Sequence, residues 1–186
     1  MTDVSAVVSC CNDEERIGHL VRRLAEHFTA LGLRFEILAV DEGSTDNTVA
    51  LLTLIRRGVP QLEVVAGVNE GRGLIRGAKM ARGRHLMVLD ARCDPLLSAL
   101  GFALTRLDGD AGCDVVMLSG GGLLMRRTRT WRAFDALVHR RDAVDLARRF
   151  VRKARTLGLQ VHVPEAPRPG STWARLRDLL LAPLAS

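Results

Sequence analysis

The sequence predicts an α/β domain built on a mostly parallel sheet with helices on both faces. Three observations lead there. Short runs that are apolar throughout (VSAVV, FEILAV, LEVVA, HLMVL and DVVML) recur along the first 118 residues, and hydrophobicity that is continuous rather than alternating marks strands buried on both faces. The segments between them return an apolar residue every three or four positions, the helical period. With 186 residues, the chain holds one such domain and a sizeable core.

Each element follows in order. Residues 4–8 form the first strand. A helix over 13–31 comes next, with Ile17, Leu20, Val21, Leu24, Phe28 and Leu31 on one stripe, Asn12 as its cap, Glu15 at the capping-box position and Gly32 as its stop. The second strand, 35–40, ends on DEGSTDNT. A helix over 48–57 buries Val49, Leu52 and Ile55, and the third strand covers 62–66. NEGRG (69–73) is a loop that opens a helix over 73–82. The fourth strand is 85–89, the next helix 96–107 and the fifth strand 114–118. After SGGG (119–122) the pattern changes. LLM is a short strand, 128–138 a helix, 142–157 a strongly basic helix and QVHVP a strand. The loop EAPRPGS leads to a last amphipathic helix, TWARLRDLL, with Trp173, Leu176, Leu179 and Leu180 on one face. No internal repeat or long linker divides the chain.

Composition narrows the classes of function. No apolar run reaches the length of a bilayer span, and MTDVSAVVSC lacks the basic-then-apolar pattern of a leader, so a cytoplasmic protein is expected. The cysteines, Cys10, Cys11, Cys93 and Cys113, form no C-x-x-C pair and read as small core residues rather than zinc or redox groups. Net charge is +6, unevenly placed: residues 1–125 carry 13 basic and 16 acidic side chains, residues 126–186 carry 14 and 5. Only Lys79 and Lys153 are lysines, and arginine favours two-pronged contacts with phosphate. A phosphate-bearing partner or an anionic membrane surface suits the C-terminal third; arginines on solvated helix faces are the plainer alternative. The last helix suits peripheral contact with a membrane, although packing that face onto the domain is the commoner use. Aromatic content of 4% with no tyrosine leaves little for base stacking, so nucleic acid is disfavoured.

In parallel sheets ligands bind beyond the carboxyl ends of the strands. That rule gathers SCCN (9–12), DEGS (41–44), NEGRG (69–73) and DARCD (90–94) along one edge. Asp41 and Glu42 with the hydroxyls of Ser44 and Thr45 suit a hydroxyl-rich, amide-bearing ligand such as a nucleoside, while Asp46 reads as the cap of the following helix. GRG opens a helix beside Arg72 and Arg76, an arrangement that accepts a diphosphate. In LDARCD a strand closes on Asp90, and Arg92 stands where a second carboxylate would complete a cation site.

Taken in order, SCCNDEERI, VDEGSTDNT, NEGRGLIRGAKMARGRHLMVLDARCDP and GGLLMRR resemble the family 2 glycosyltransferases of GT-A fold. More narrowly they resemble the branch that transfers sugar from a nucleotide sugar to a polyprenyl (dolichyl) phosphate, whose domain ends in a stretch like GLQVHVPEAPRPGSTWARLRDLL. The resemblance implies a GT-A-like, Rossmann-type sheet in a single domain over 1–186. Its nucleotide-binding half would be 1–118, and an abbreviated acceptor half with basic C-terminal helices 119–186. It implies inverting transfer from a UDP- or GDP-linked sugar. By position it puts nucleotide contacts on Cys10, Cys11, Asn12, Glu14, Asp41 (the acid that reads the base), Glu42, Arg72, Arg76, Asp90 and Ala91. In the family the last of these strands ends on Asp-x-Asp, whose second acid helps hold Mn²⁺ or Mg²⁺ on the diphosphate.

Three departures bear on activity. Arg92 replaces that second acid, and a guanidinium repels a cation rather than ligating it. The stretch that shapes the acceptor side is cut to SGGG. The acidic catalytic position falls near Leu146–Ala147, with Asp142 and Asp145 the nearest acids. One reading keeps a metal-independent enzyme: Arg92, Arg72 and Arg76 clamp the diphosphate, Asp90 holds the ribose, and Asp142 or Asp145 deprotonates the acceptor. Its rival is a non-catalytic GT-A-like domain that binds a nucleotide or a partner protein. A sugar-nucleotide pyrophosphorylase is disfavoured because no long glycine-rich loop follows the first strand. Sugar, base and acceptor stay open.

Overall fold

The structure, a computed structural model, describes residues 1–66, 73–95, 97–109, 112–118, 122–135 and 143–163. In chain order the elements are β1 (Val4–Cys10), α1 (Glu14–Ala30), β2 (Phe35–Asp41), α2 (Thr48–Ile55), β3 (Leu62–Val65) and α3 (Gly73–Met80). β4 (His85–Asp90) follows, then a 3₁₀ turn (Leu97–Ala99) running into α4 (Leu100–Gly109), β5 (Val115–Met117), β6 (Leu123–Arg126), α5 (Arg127–Asp135), α6 (Ala143–Thr156) and β7 (Val161–His162). Among the described residues the strands form one sheet in the order β3-β2-β1-β4-β6-β5-β7.

Successive strand residues face opposite sides of a sheet, and here each side has its own core. Ala6, Val8, Ile37, Ala39, Met87 and Leu89 pack with Ile17, Leu24 and Phe28 of α1, Leu52 of α2 and Leu100 of α4. Val7, Leu38, Val40, Leu86 and Val88 pack with Leu74, Ile75 and Ala78 of α3, Ala133 of α5 and Phe150 and Val151 of α6. The alternating α/β plan read from the sequence is therefore the architecture, with α1, α2 and α4 on one face and α3, α5 and α6 on the other.

The LLM strand read from the sequence is β6, and it enters antiparallel between β4 and β5, pairing Met87 with Leu124 and Val116 with Leu124. Gly122, immediately before β6, has φ 104°, and its carbonyl accepts the Leu118 N–H at 3.0 Å. Asn12 does not cap α1; Asp13 holds that position without a side-chain cap bond, and Asn12 is used elsewhere. In α2 the buried first-turn residue is Thr48, while Val49 is half-buried. Leu31 lies just past α1 and is exposed. Gly32 ends the helix as expected, with φ 66° and the Leu33 N–H donating to the Phe28 carbonyl at 3.0 Å. The TWARLRDLL helix lies outside the described residues.

α3 crosses the sheet at Gly77, where an added Cβ would strike the Val7 side chain and come to 3.0 Å of Val40 Cγ2. Gly77→Ala should lower unfolding free energy by about 1–3 kcal/mol, the usual range for overpacking; a urea midpoint equal to wild type would contradict this close approach.

At the opposite edge of the sheet, buried His85 has Nε2 3.2 Å from Asp108 Oδ1, and Arg84 bonds the other oxygen of that carboxylate at 3.2 Å. Burial holds the imidazole below its ordinary value; Asp108 pulls the other way, and Arg84 and Arg126 add to the depression. The folded protein thus keeps His85 neutral while the unfolded chain takes up a proton near pH 6.5. Its contribution is full above that pH and declines as pH falls through and below it. Melting temperature should fall between pH 7.5 and 5.5, and part of that fall should be missing in His85→Gln. Parallel curves for the two proteins would exclude His85 as the source.

Candidate active site

Three strands end level with one another at the carboxyl edge. Cys10 lies opposite Asp41, and Ser9 opposite Asp90, in two parallel registers. Beyond the ladder, the Glu42 N–H donates to the Cys10 carbonyl at 2.9 Å and the Ala91 N–H to the Ser9 carbonyl at 2.8 Å. The loops that follow β1, β2 and β4 therefore start from one shared line.

The first two loops are tied together. Asn12 sits in the left-handed region at φ 55°, the one non-glycine positive φ among the described residues. Asparagine tolerates it better than most side chains. Its Oδ1 accepts the Thr45 N–H at 2.8 Å and the Thr45 hydroxyl at 3.2 Å, while its own N–H donates to Ser44 Oγ at 2.9 Å. Glu14 adds a second tie: its N–H donates to Asp46 Oδ2 at 3.2 Å, and its Oε2 accepts the Asn47 N–H at 2.9 Å. Asp46 also accepts the Thr48 N–H at 2.9 Å, and the Thr48 hydrogen bonds hold its carboxyl below the usual range; the N-cap of α2 is Asn47, one residue later than the sequence suggested, and it makes no side-chain cap bond.

The acids of DEGS are engaged too. Asp41, 3% exposed, accepts the Gly43 and Ser44 N–H groups at 3.2 Å each on Oδ2. Glu42 Oε1 accepts the Gly73 N–H at 2.7 Å and so closes the N-terminus of α3, the place where the sequence suggested a diphosphate. Arg76 is exposed on α3, Cys10 and Ala91 are buried and Cys11 is half-buried. Burial pushes the thiols of Cys10 and Cys93 upward, so both stay protonated at neutral pH. Arg72 and Asp142 lie outside the described residues.

Arg92 lies at the centre of this edge. The turn after β4 is set by Asp90, whose Oδ1 accepts the Arg92 N–H at 2.9 Å. The Arg92 guanidinium Nε is 3.6 Å from Asp90 Oδ1 and 3.7 Å from Asp13 Oδ1, with the side chain 63% exposed. Asp13 is buried, its Oδ2 accepting the Cys11 N–H at 2.9 Å and its N–H donating to Thr48 Oγ1 at 2.9 Å. Sequence reasoning missed Asp13, which looked like an ordinary first-turn acid; its burial and its distance from Arg92 arise only when β1 and β4 are side by side.

The direction of α6 follows from the strand after it. β7 runs parallel to β5, and the Gln160 N–H before it donates to Asp114 Oδ2 at 3.2 Å, at the start of β5. α6 leads into that turn, so it runs from the carboxyl edge down the sheet. The first turn of α6, which holds Asp145, therefore starts toward that edge.

Residues 5–132 match the family model for glycosyl transferase family 2. The chain belongs to that family. An undecaprenyl-phosphate 4-deoxy-4-formamido-L-arabinose transferase of Pseudomonas paraeruginosa is 34% identical over 92 residues, covering 47% of this chain and 27% of that one. A glycosyltransferase of Synechocystis sp. is 32% identical over 92 residues, covering 48% and 29%. The matches thus span less than a third of these curated relatives. A mannosyltransferase from Pyrobaculum calidifontis, solved with GDP-Man and Mn²⁺, superposes with a TM-score of 0.69 at 18% identity over 91% of this chain and 60% of that one. Glucosyl-3-phosphoglycerate synthase from Mycobacterium tuberculosis, solved with Mn²⁺, UDP and phosphoglyceric acid, gives 0.61 at 17% identity over 97% and 78%. At such identities the likeness establishes the GT-A fold.

A glycosyltransferase family 2 site with Asp-x-Asp offers two acids to Mn²⁺ or Mg²⁺. Here a cation on Asp90 would share that carboxylate with a guanidinium 3.6 Å away. Among the described residues no three His, Cys, Asp or Glu side chains gather as metal ligands. Asp90-Ala91-Arg92 offers such an ion one acid where that motif offers two.

Glu42→Ala should expose α3 amides to faster hydrogen exchange and cost about 0.5–2 kcal/mol, as loss of a helix cap does, whereas Glu42→Gln keeps an acceptor and most of the protection. Equal exchange in wild type and Glu42→Ala would remove the capping assignment.

Proposed function

We propose that the chain is the donor-binding domain of a glycosyltransferase that takes a UDP- or GDP-linked sugar at the carboxyl edge of the sheet and transfers it with inversion, with Arg92 replacing the metal ion. The observation that carries this is the Arg92 guanidinium held between Asp90 and Asp13 where β1, β2 and β4 end level. At 3.6 and 3.7 Å these contacts are beyond hydrogen-bond length, so the two carboxylates orient the group without consuming its N–H donors. Phosphate oxygens are natural acceptors for them. The donor class is supported by fold relatives solved with GDP-Man and with UDP.

In the transfer, the acceptor oxygen attacks the anomeric carbon from the face opposite the diphosphate. The bond from that carbon to the diphosphate oxygen breaks, its electron pair leaving with the nucleoside diphosphate, and the acceptor's proton passes to a carboxylate. Negative charge grows on the leaving diphosphate, and a fixed cation there stabilises the transition state more than the ground state. Arg92 supplies that cation; Arg76 and Arg72 would extend the clamp along the start of α3. Asp145 or Asp142 would receive the proton, Asp145 being favoured by its place in the first turn of α6.

The rival reading, a GT-A-like domain that binds a nucleotide or a protein without transferring sugar, draws on Glu14 and Glu42. Both carboxylates are committed to the protein's own amides.

Titration calorimetry with UDP and GDP should show equal binding of the preferred nucleotide in Mn²⁺ and in EDTA; binding that needs Mn²⁺ would refute the arginine clamp. Arg92→Ala should weaken that binding roughly tenfold or more, since a hydrogen bond to a charged group contributes about 1.5–3 kcal/mol. Nucleotide binding with neither transfer nor hydrolysis of any UDP- or GDP-sugar would select the non-catalytic reading.

A further inference from the structure

The two helix layers differ sharply in charge. α1, α2 and α4 together carry four arginines, Arg16, Arg22, Arg23 and Arg106, against four acids, Glu14, Glu15, Glu26 and Asp108. α3, α5 and α6 carry ten arginines and lysines against two aspartates. Lys79, Arg132, Arg152 and Arg155 are exposed on that second layer, as is Arg82 just beyond α3. An arginine-rich coding bias would load both layers alike. The layers share one sheet and one chain, so the difference belongs to the surface.

We infer that the outer face of α3, α5 and α6 is a docking surface for an anionic lipid bilayer. A layer of three helices on one face of a seven-stranded sheet presents a broad surface, and each Lys or Arg that reaches an anionic leaflet raises partitioning about fivefold. Contact is peripheral, because no helix among the described residues is long and apolar enough to cross a membrane. Lipid is favoured over nucleic acid by the low aromatic content of the chain, 4% with no tyrosine. Among the described side chains of the layer, Phe150 is fully buried and Trp131 is partly buried against the core. α3 begins at Gly73, bonded to Glu42 on the edge that carries Arg92, so docking through this layer places that edge beside the lipid surface. The inference rests on charge placement and does not require the proposed sugar transfer.

Vesicle flotation of the full chain tests it. Vesicles of phosphatidylcholine with about 30% phosphatidylglycerol should carry the protein at 0.1 M salt, where screening extends over roughly 10 Å, and release it at 1 M, where it extends over roughly 3 Å. Vesicles of phosphatidylcholine alone should not carry it. The double variant Arg132→Glu/Arg152→Glu should partition at least about twentyfold less. Arg56→Glu/Arg57→Glu, the same change in net charge beyond α2 on the other face, should partition as wild type. Circular dichroism checks that both variants are folded. Equal losses in the two variants would reduce the effect to net charge and overturn the docking face. Failure to float, retention by neutral vesicles, or displacement from anionic vesicles by equimolar single-stranded RNA would overturn the lipid assignment. None of these outcomes alters nucleotide binding measured without vesicles, so this inference and the proposed activity fail separately.

Discussion

The register of three parallel strands is the constraint from which the rest of this edge follows. Because β1 is flanked by β2 and β4, with Cys10 opposite Asp41 and Ser9 opposite Asp90, three loops leave the sheet at one level. Residues some eighty positions apart in the chain become neighbours. The register is specified by burial on both faces, since a one-residue slip would exchange the two cores. Backbone pairing therefore supplies accuracy that no loop of this length could supply alone.

On that base, the site is organised by charge neutralisation at two levels. Glu42 faces the amide end of α3, and Asp90 and Asp13 face Arg92. A helix terminus and a guanidinium are both anion receptors. Here one receptor is closed by the protein's own carboxylate, while the other is held only by long contacts and remains accessible to solvent. This distinction places the electrostatic weight of the site on residue 92 and away from the start of α3.

Legibility in the sequence followed the range of the interactions. The strands and most helices were readable because apolar runs and the three-to-four repeat are local. That Arg92 would sit at a strand end came from its spacing after HLMVL. The pairing of Arg92 with Asp13, and the use of Asn12 to clasp the second loop rather than to cap α1, were not readable, because both depend on contacts between segments more than thirty residues apart. The antiparallel entry of β6 was hidden for a related reason: LLM is too short to carry a direction, which its pairing with β4 and β5 supplies.

That inserted strand also limits how the molecule can be divided. β6 covers the side of β4 that faces away from β1, and β5 and β7 join the other strands through β6. A fragment stopping at residue 118 would strip the fully buried row His85–Leu89 of its neighbour and expose an unpaired apolar edge, the kind that recruits other chains. The loops that follow β1, β2 and β4 all precede that point, yet their scaffold is finished by four residues after it. Trimming by gene loss or by the bench scientist meets the same boundary: a minimal catalytic or binding unit must keep the hairpin that returns through Leu123–Arg126.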